Sequence, residues 1–222
     1  DQLFADNDEE RNLYLKEEGG KRLTIPQNLI IVGTVNMDET TFSFSRKVLD
    51  RAMTIEMNEV DLYGGLTSRH EQIGKLNFED LVGDKVEGVD VYQENLEVCN
   101  QAILYLQEIN AVLEGTPFKI AYRTRNEFLL YVVNNLPYRK NSQGLEMTQN
   151  EVVARALDEI TSMKILSRIE GDEEKVKAEL LTSLKEVVLK MLPENMRDSS
   201  VSLAKLDEME KKLSSGYTSF WS

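Results

Sequence analysis

The chain has 222 residues, 29% of them charged and 41% hydrophobic, with a formal net charge of −13. That length can bury a sizeable core, and the composition excludes wholesale disorder. The charge disfavours a nucleic-acid clamp or an anionic-membrane binder. The single cysteine, Cys99, excludes an internal disulfide framework and fits a reducing compartment.

In chain order, residues 1–22 are acidic and polar, broken by Gly19-Gly20-Lys21-Arg22, with Asn12-Leu13-Tyr14-Leu15 as a candidate short strand. The absence of an initial Met points to a fragment of a longer protein. No basic-plus-apolar leader is present. A proline turn at Pro26 then leads into the apolar run from Leu29, which predicts a strand buried on both faces and ending at Asn36. Phe44–Ala52 predicts a short helix, and the alternation over Met53–Asn58 predicts a second strand. Residues 59–91 are glycine-rich and predict an irregular connection or a small hairpin.

From Tyr92 the period becomes helical, with Leu96, Cys99, Ile103, Leu106 and Leu113 on one face and Gly115 and Pro117 as the stop. Thr124 and Glu127 have capping-box spacing, predicting a helix from Thr124 to just before Pro137. Thr148 and Glu151 repeat the signature for a helix to about Leu166. Asp172 is placed to cap another, with Val176, Leu180, Leu184, Val187 and Met191 on one face and Pro193 as its end. A last helix carries Leu203, Leu206, Met209 and Leu213, closed by Gly216, before an aromatic tail. The longest wholly apolar runs are too short to span a bilayer, so a cytoplasmic protein with no membrane partner is expected.

Three clusters carry candidate chemistry. The apolar run ends in Asn36, Asp38 and Glu39. Gly33, Thr34 and Asn36 interrupt it, so the acids fall in the turn beyond the strand. A neutral amide at a strand tip both donates and accepts hydrogen bonds and can hold a water against a phosphate. Asp38 or Glu39 can share that role, and the alternative is that Asn36 only caps the turn. Arg46, Lys47 and Arg51 follow. An arginine there can stabilise charge on a neighbouring subunit's nucleotide, or lie on an exposed helix face. Arg123 precedes the Thr124 cap, where free N–H groups favour anions, or it is a surface salt-bridge residue.

A phosphate loop, G-x-x-x-x-G-K-[ST], is missing. Gly20-Lys21 and Gly74-Lys75 have Leu15 and Arg69 where the earlier glycine belongs, and neither pair is followed by Ser or Thr. With one histidine (His70) and one cysteine, no His/Cys metal site is expected.

The stretch "IPQNLIIVGTVNMDETTFSFSRKVLDRAMTIEM" resembles the second half of an AAA+ NTPase core of the McrB-like branch, near the MoxR and dynein relatives. "IAYRTRNEFLLYV", "ALDEITSMKILSRIEG" and "GYTSFW" resemble the helical lid of that family. The resemblance implies an α/β piece, residues 1–60, holding the last strands of the αβα core, a connector over 61–91 and a helical lid over 92–222, mostly α overall. It implies Asn36 as the water-orienting sensor with Glu39 beside it, Arg51 as the arginine finger with Arg46 as runner-up, and Arg123 as the lid arginine contacting phosphate.

ATP or GTP with Mg²⁺ would bind in the intact parent, a homo-oligomeric and expected hexameric ring, with metal ligands outside this chain. A nuclease or a remodelled protein would be the partner. Glu39 stands where the McrB pattern has Asp and the following Arg is absent, so ATP and GTP both stay open. The fragment alone is expected to be inactive. The alternative is a non-catalytic helical interaction module.

Overall fold

A computed structural model describes residues 29–35, 44–57, 74, 77, 87–141 and 143–221. The chain divides into two compact units, 1–36 with 61–84 and 37–60 with 85–222. Residues 37–60 thus group with the helices, whereas the sequence reading placed them with an N-terminal α/β piece.

In the first unit, Leu29–Val35 lies in neither helix nor strand, and its apolar side chains are exposed, Ile31 by 86% and Val32 by 81%. The buried strand expected there has no hydrogen-bonded neighbour among the described residues.

The second unit is mostly helical. Its described elements are α1 (Arg46–Leu49), α2 (Gly88–Tyr92), α3 (Leu96–Val112), α4 (Tyr122–Asn135), α5 (Gln149–Lys164), β1 (Glu170–Asp172), α6 (Ala178–Met191), α7 (Val201–Leu213) and β2 (Tyr217–Ser219). Short 3₁₀ turns cover Gln93–Asn95, Leu166–Arg168 and Glu194–Ser199.

Helix α5 starts where expected. Thr148 accepts from the Glu151 amide and Glu151 accepts from the Thr148 amide, so two end donors are satisfied reciprocally. Helix α7 is capped by Ser200, whose hydroxyl accepts from the Leu203 amide. Helix α4 differs from expectation. It starts at Tyr122 with Ala121 as its cap, and Thr124 is buried inside the first turn. Asp172 caps no helix: it ends β1 and accepts from the Lys175 amide, closing the turn before α6. The expected helix over Phe44–Ala52 shortens to α1 plus a turn through Arg51.

The buried face of α3 runs through Val98, Cys99, Ala102, Tyr105, Leu106 and Ile109, while Leu96 is exposed. This is one stripe of a 3.6-residue period, rotated slightly from the one read off the sequence. Helix α4 packs against α2, α3 and α5, α3 also meets α6, and α7 lies against α5 and α6. Gly88 lets α2 approach α4 closely, because a Cβ there would stand 2.9 Å from Asn126 Oδ1 and 3.0 Å from Leu129 Cδ1. One core holds Phe118, Phe128, Leu157, Ile160, Leu181 and Phe220.

The tail is not loose. Gly216, at φ +97°, reverses the chain after α7, and β2 pairs antiparallel with β1, Gly171 opposite Thr218. Thr218 is buried and donates to the Met209 carbonyl at 2.8 Å.

Residues 52–57 extend without a strand partner among the described residues. The alternation expected of a strand is present, but its polar side faces the helices. Thr54 is buried and Glu56 half-buried, whereas Met53, Ile55 and Met57 are exposed, Met57 by 88%.

Candidate functional site

Two of the four sequence-predicted catalytic residues, Asn36 and Glu39, lie outside the described residues, as does Asp38. Arg46 opens α1. Arg51 sits in the turn that follows, its amide donating to the Val48 carbonyl at 2.9 Å and its side chain exposed. Arg123 is the second residue of α4 and is exposed. Neither the Arg51 nor the Arg123 side chain makes a hydrogen bond or ion pair with any described residue. Nearby Arg125 is engaged, stacking on Tyr122 at 5.0 Å and donating to Asn126 Oδ1.

The turn bearing Arg51 and the first turns of α4 meet at one buried cation. Lys164, the last residue of α5, is only 1% exposed. Its ammonium donates to the carbonyls of Asp50 at 3.2 Å and Ala52 at 2.9 Å, the residues on either side of Arg51. It also pairs with Glu127 Oε2 at 2.8 Å. Two carbonyl hydrogen bonds and one carboxylate ion pair therefore surround the buried ammonium, the Glu127 contact lacking hydrogen-bond alignment. Glu127 stands four residues after Arg123, on the same face of α4. The Thr124/Glu127 spacing read as a capping box is thus used differently: Glu127 turns inward to the lysine because a buried charge gains more than an exposed cap.

Two further cations hold the same segment. Arg168, 8% exposed, approaches Asp50 Oδ1 at 3.0 Å. Lys205, on α7, pairs with Glu56 and with Glu208, both at 2.5 Å, and donates to the Phe220 carbonyl at 3.2 Å. Burial works against ionisation of Glu208, but Lys205 and Lys212 outweigh it and hold its carboxyl below the usual range. Phe44 stacks at a tilt on Trp221, ring centres 5.8 Å apart. Residues 44–57 therefore form a strap, fastened at Phe44, Asp50, Ala52 and Glu56.

Sequence reasoning passed over Lys164, Arg168 and Lys205. A signal was there. Lys164 falls at the position where the stripe of Leu157 and Ile160 calls for an apolar residue, and Lys205 sits between Leu203, Leu206 and Met209.

The Asp-Glu pair of α5 is structural. Asp158, 5% exposed, accepts from the Ser200 hydroxyl at 2.6 Å, the Val201 amide at 2.9 Å and the Ser202 amide at 3.2 Å, fastening α5 to the start of α7. Burial pushes its carboxyl above the ordinary range, and these hydrogen bonds pull the other way. Glu159 accepts from the Tyr131 hydroxyl at 2.8 Å. Thr161 gives its proton to the Leu157 carbonyl, so Tyr105 donates to Thr161 in the 2.8 Å contact between them. Burial raises the Tyr105 phenol.

Among the described residues, no group of three or more His, Cys, Asp or Glu side chains could hold a metal ion. None of their helices is long and apolar enough to cross a membrane. Over residues 79–217 the sequence matches a family described as a domain of unknown function (DUF8727). The chain belongs to that family. No curated protein and no solved structure matches it.

Proposed function

We propose that the chain is the C-terminal part of a McrB-like AAA+ ATPase or GTPase, with its helical unit serving as the lid. The observation that carries this reading is the pairing of "LDRA" with "YRTRNE". Each motif offers an exposed guanidinium, Arg51 and Arg123, that is unspent on any described carboxylate, and their elements converge on the Lys164–Glu127 pair. In a chain of net charge −13, exposed arginines left without an acidic partner are suited to phosphate oxygens.

Arg51 would reach the nucleotide of a neighbouring subunit, and Arg123 would contact phosphate from the first turn of the lid helix α4. Asn36, with Glu39 beside it, would orient the attacking water, and Arg46 would be the second choice for the finger. The residues fit a nucleotide triphosphate in part. They supply cations for phosphate, while Mg²⁺ would need carboxylates from elsewhere in the protein. The protein would work as a homo-oligomer, with a nuclease or remodelled protein as its partner.

The test is nucleotide-dependent assembly and hydrolysis by the full-length protein, with Arg51→Ala as control. Loss of turnover with retained nucleotide binding is expected. An R51A protein that assembles and hydrolyses like its parent ends the finger assignment. Robust turnover by the 222-residue chain alone would show that the catalytic residues have been misplaced.

A second reading is a non-catalytic interaction module. The exposed apolar side chains of Leu29–Val35 in the first unit and, separately, of Met53, Ile55 and Met57 in the second favour it, because exposed apolar side chains grouped in this way call for a cover. Partner binding that neither requires nucleotide nor changes in R51A would support it.

A further inference from the structure

Arg51 is held differently from an ordinary surface arginine. Its side chain is exposed, yet the backbone carbonyls before and after it are both captured by one buried ammonium, Lys164, and the preceding side chain, Asp50, is captured by Arg168. A lysine at 1% exposure is expensive, and a methionine would fill the same volume without that cost. Packing alone therefore does not account for it. Its ammonium donates to the Asp50 and Ala52 carbonyls and forms an ion pair with Glu127 of α4. It therefore fixes the peptide plane on the N-terminal side of Arg51 and the plane beyond Ala52, which together bracket the turn presenting the Arg51 side chain.

We propose that Lys164, assisted by Arg168, is a positioning residue that aims Arg51 and links that aim to helix α4 through Glu127. The inference rests on Arg51 acting on a nucleotide for its purpose, but the mechanical part stands without that reading. Arg155 brackets Arg139 in the same way, through the Tyr138 and Lys140 carbonyls, and Lys212 brackets Phe220; the Arg51 turn differs in that its cation is buried and also pairs with Glu127 of α4. Because Glu127 shares a face of α4 with Arg123, a movement of α4 on meeting phosphate reaches Lys164 directly and, through it, the Arg51 turn.

Amide exchange of the purified 222-residue chain tests the mechanical part. In Lys164→Met, amides of residues 50–54 should exchange at least about tenfold faster, while those of α6 and α7 keep their rates. Lys164→Arg, which keeps the charge and the donors, should stay within about threefold of the parent. Unchanged exchange at 50–54, or acceleration spread evenly through α6 and α7, overturns the proposal. Should K164M not fold, Arg168→Gln at the rim of the site carries the same prediction with a smaller effect.

Turnover by the full-length protein tests the purpose. K164M should lower kcat with KM unchanged, and the K164M/R51A double variant should lose no more than R51A alone. Losses that multiply overturn the positioning role. Turnover that falls in R51A but not in K164M does so too, and leaves the nucleotide reading standing. Turnover indifferent to R51A, with loosened amides in K164M, supports the mechanical cradle and ends the assignment of Arg51 to the nucleotide.

Discussion

The helical body and the strap over residues 44–57 are built by opposite means. The body is held by apolar side chains, with Phe128, Leu157, Ile160 and Leu181 fully buried, and its polar contacts mainly fix the ends of helices. The strap turns its polar side inward and its apolar side outward. It is fastened by Lys164, Arg168 and Lys205 reaching out from the body. Burial of apolar area is strong but has no direction, whereas hydrogen bonds from a buried ammonium place particular atoms. The strap therefore gains a set geometry for the Arg51 turn rather than much stability, and it leaves Met53, Ile55 and Met57 available to something else.

The comparison can be broken at several points. The largest effect should come from the body: Phe128→Ala should cost roughly 3–5 kcal/mol in urea denaturation, because a fully buried ring leaves a cavity. A loss below about 1 kcal/mol would mean that α4 is not part of the core.

Next is Asp158, a buried acid that ties α5 to α7. Asp158→Ala should cost about 2–4 kcal/mol, since it strands the Ser200 hydroxyl and two amide donors of α7. Its pH dependence has a definite sign. The folded-state carboxyl is raised by burial above its ordinary value of 3.8. Its contribution is therefore fully present below that ordinary value and is lost as pH rises through the raised one. The stability of the parent relative to Asp158→Asn should thus fall as pH climbs from the ordinary carboxylate value through the raised one. A difference that stays flat or grows would contradict the burial argument.

In the strap, Asp50→Ala should cost only about 0.5–1.5 kcal/mol globally, because Asp50 is 43% exposed and its pair with Arg168 lies at the rim. The same change should speed exchange at residues 50–54. A large global loss would make the strap part of the body rather than an attachment. The smallest effect belongs to the exposed pair between Lys190 and Glu108, where Lys190→Ala should shift stability by less than about 0.5 kcal/mol.

Much of the body was legible in the sequence, because helix signals are local. Pro137 and Pro193 follow the ends of α4 and α6, Thr148 and Glu151 form the expected box, and Leu203, Leu206, Met209 and Leu213 all bury as their spacing requires. The candidate site was legible only as a set of exposed arginines. Arg51 lies in the turn after α1 rather than in a helix, Arg123 is the second residue of α4 rather than the residue before its cap, and Asn36 and Glu39 fall outside the described residues.

What the sequence by itself determined is therefore the helical class, the start of α5, the proline stops after α4 and α6 and much of the apolar stripes, all of which depend on residues within a few positions of one another. The tertiary structure decided the rest. Thr124 and Glu127 had the spacing of a cap, but a lysine 37 residues away in sequence, Lys164, recruited Glu127 inward (164 − 127). The alternation of Met53–Asn58 announced two faces without saying which was inside. Lys205, on a helix more than a hundred residues later, drew Glu56 in and left the methionines out. The tail became a strand only because Glu170–Asp172 lay ready to pair with it. In each case a charge or an unpaired backbone edge was satisfied by a partner that local spacing cannot reveal.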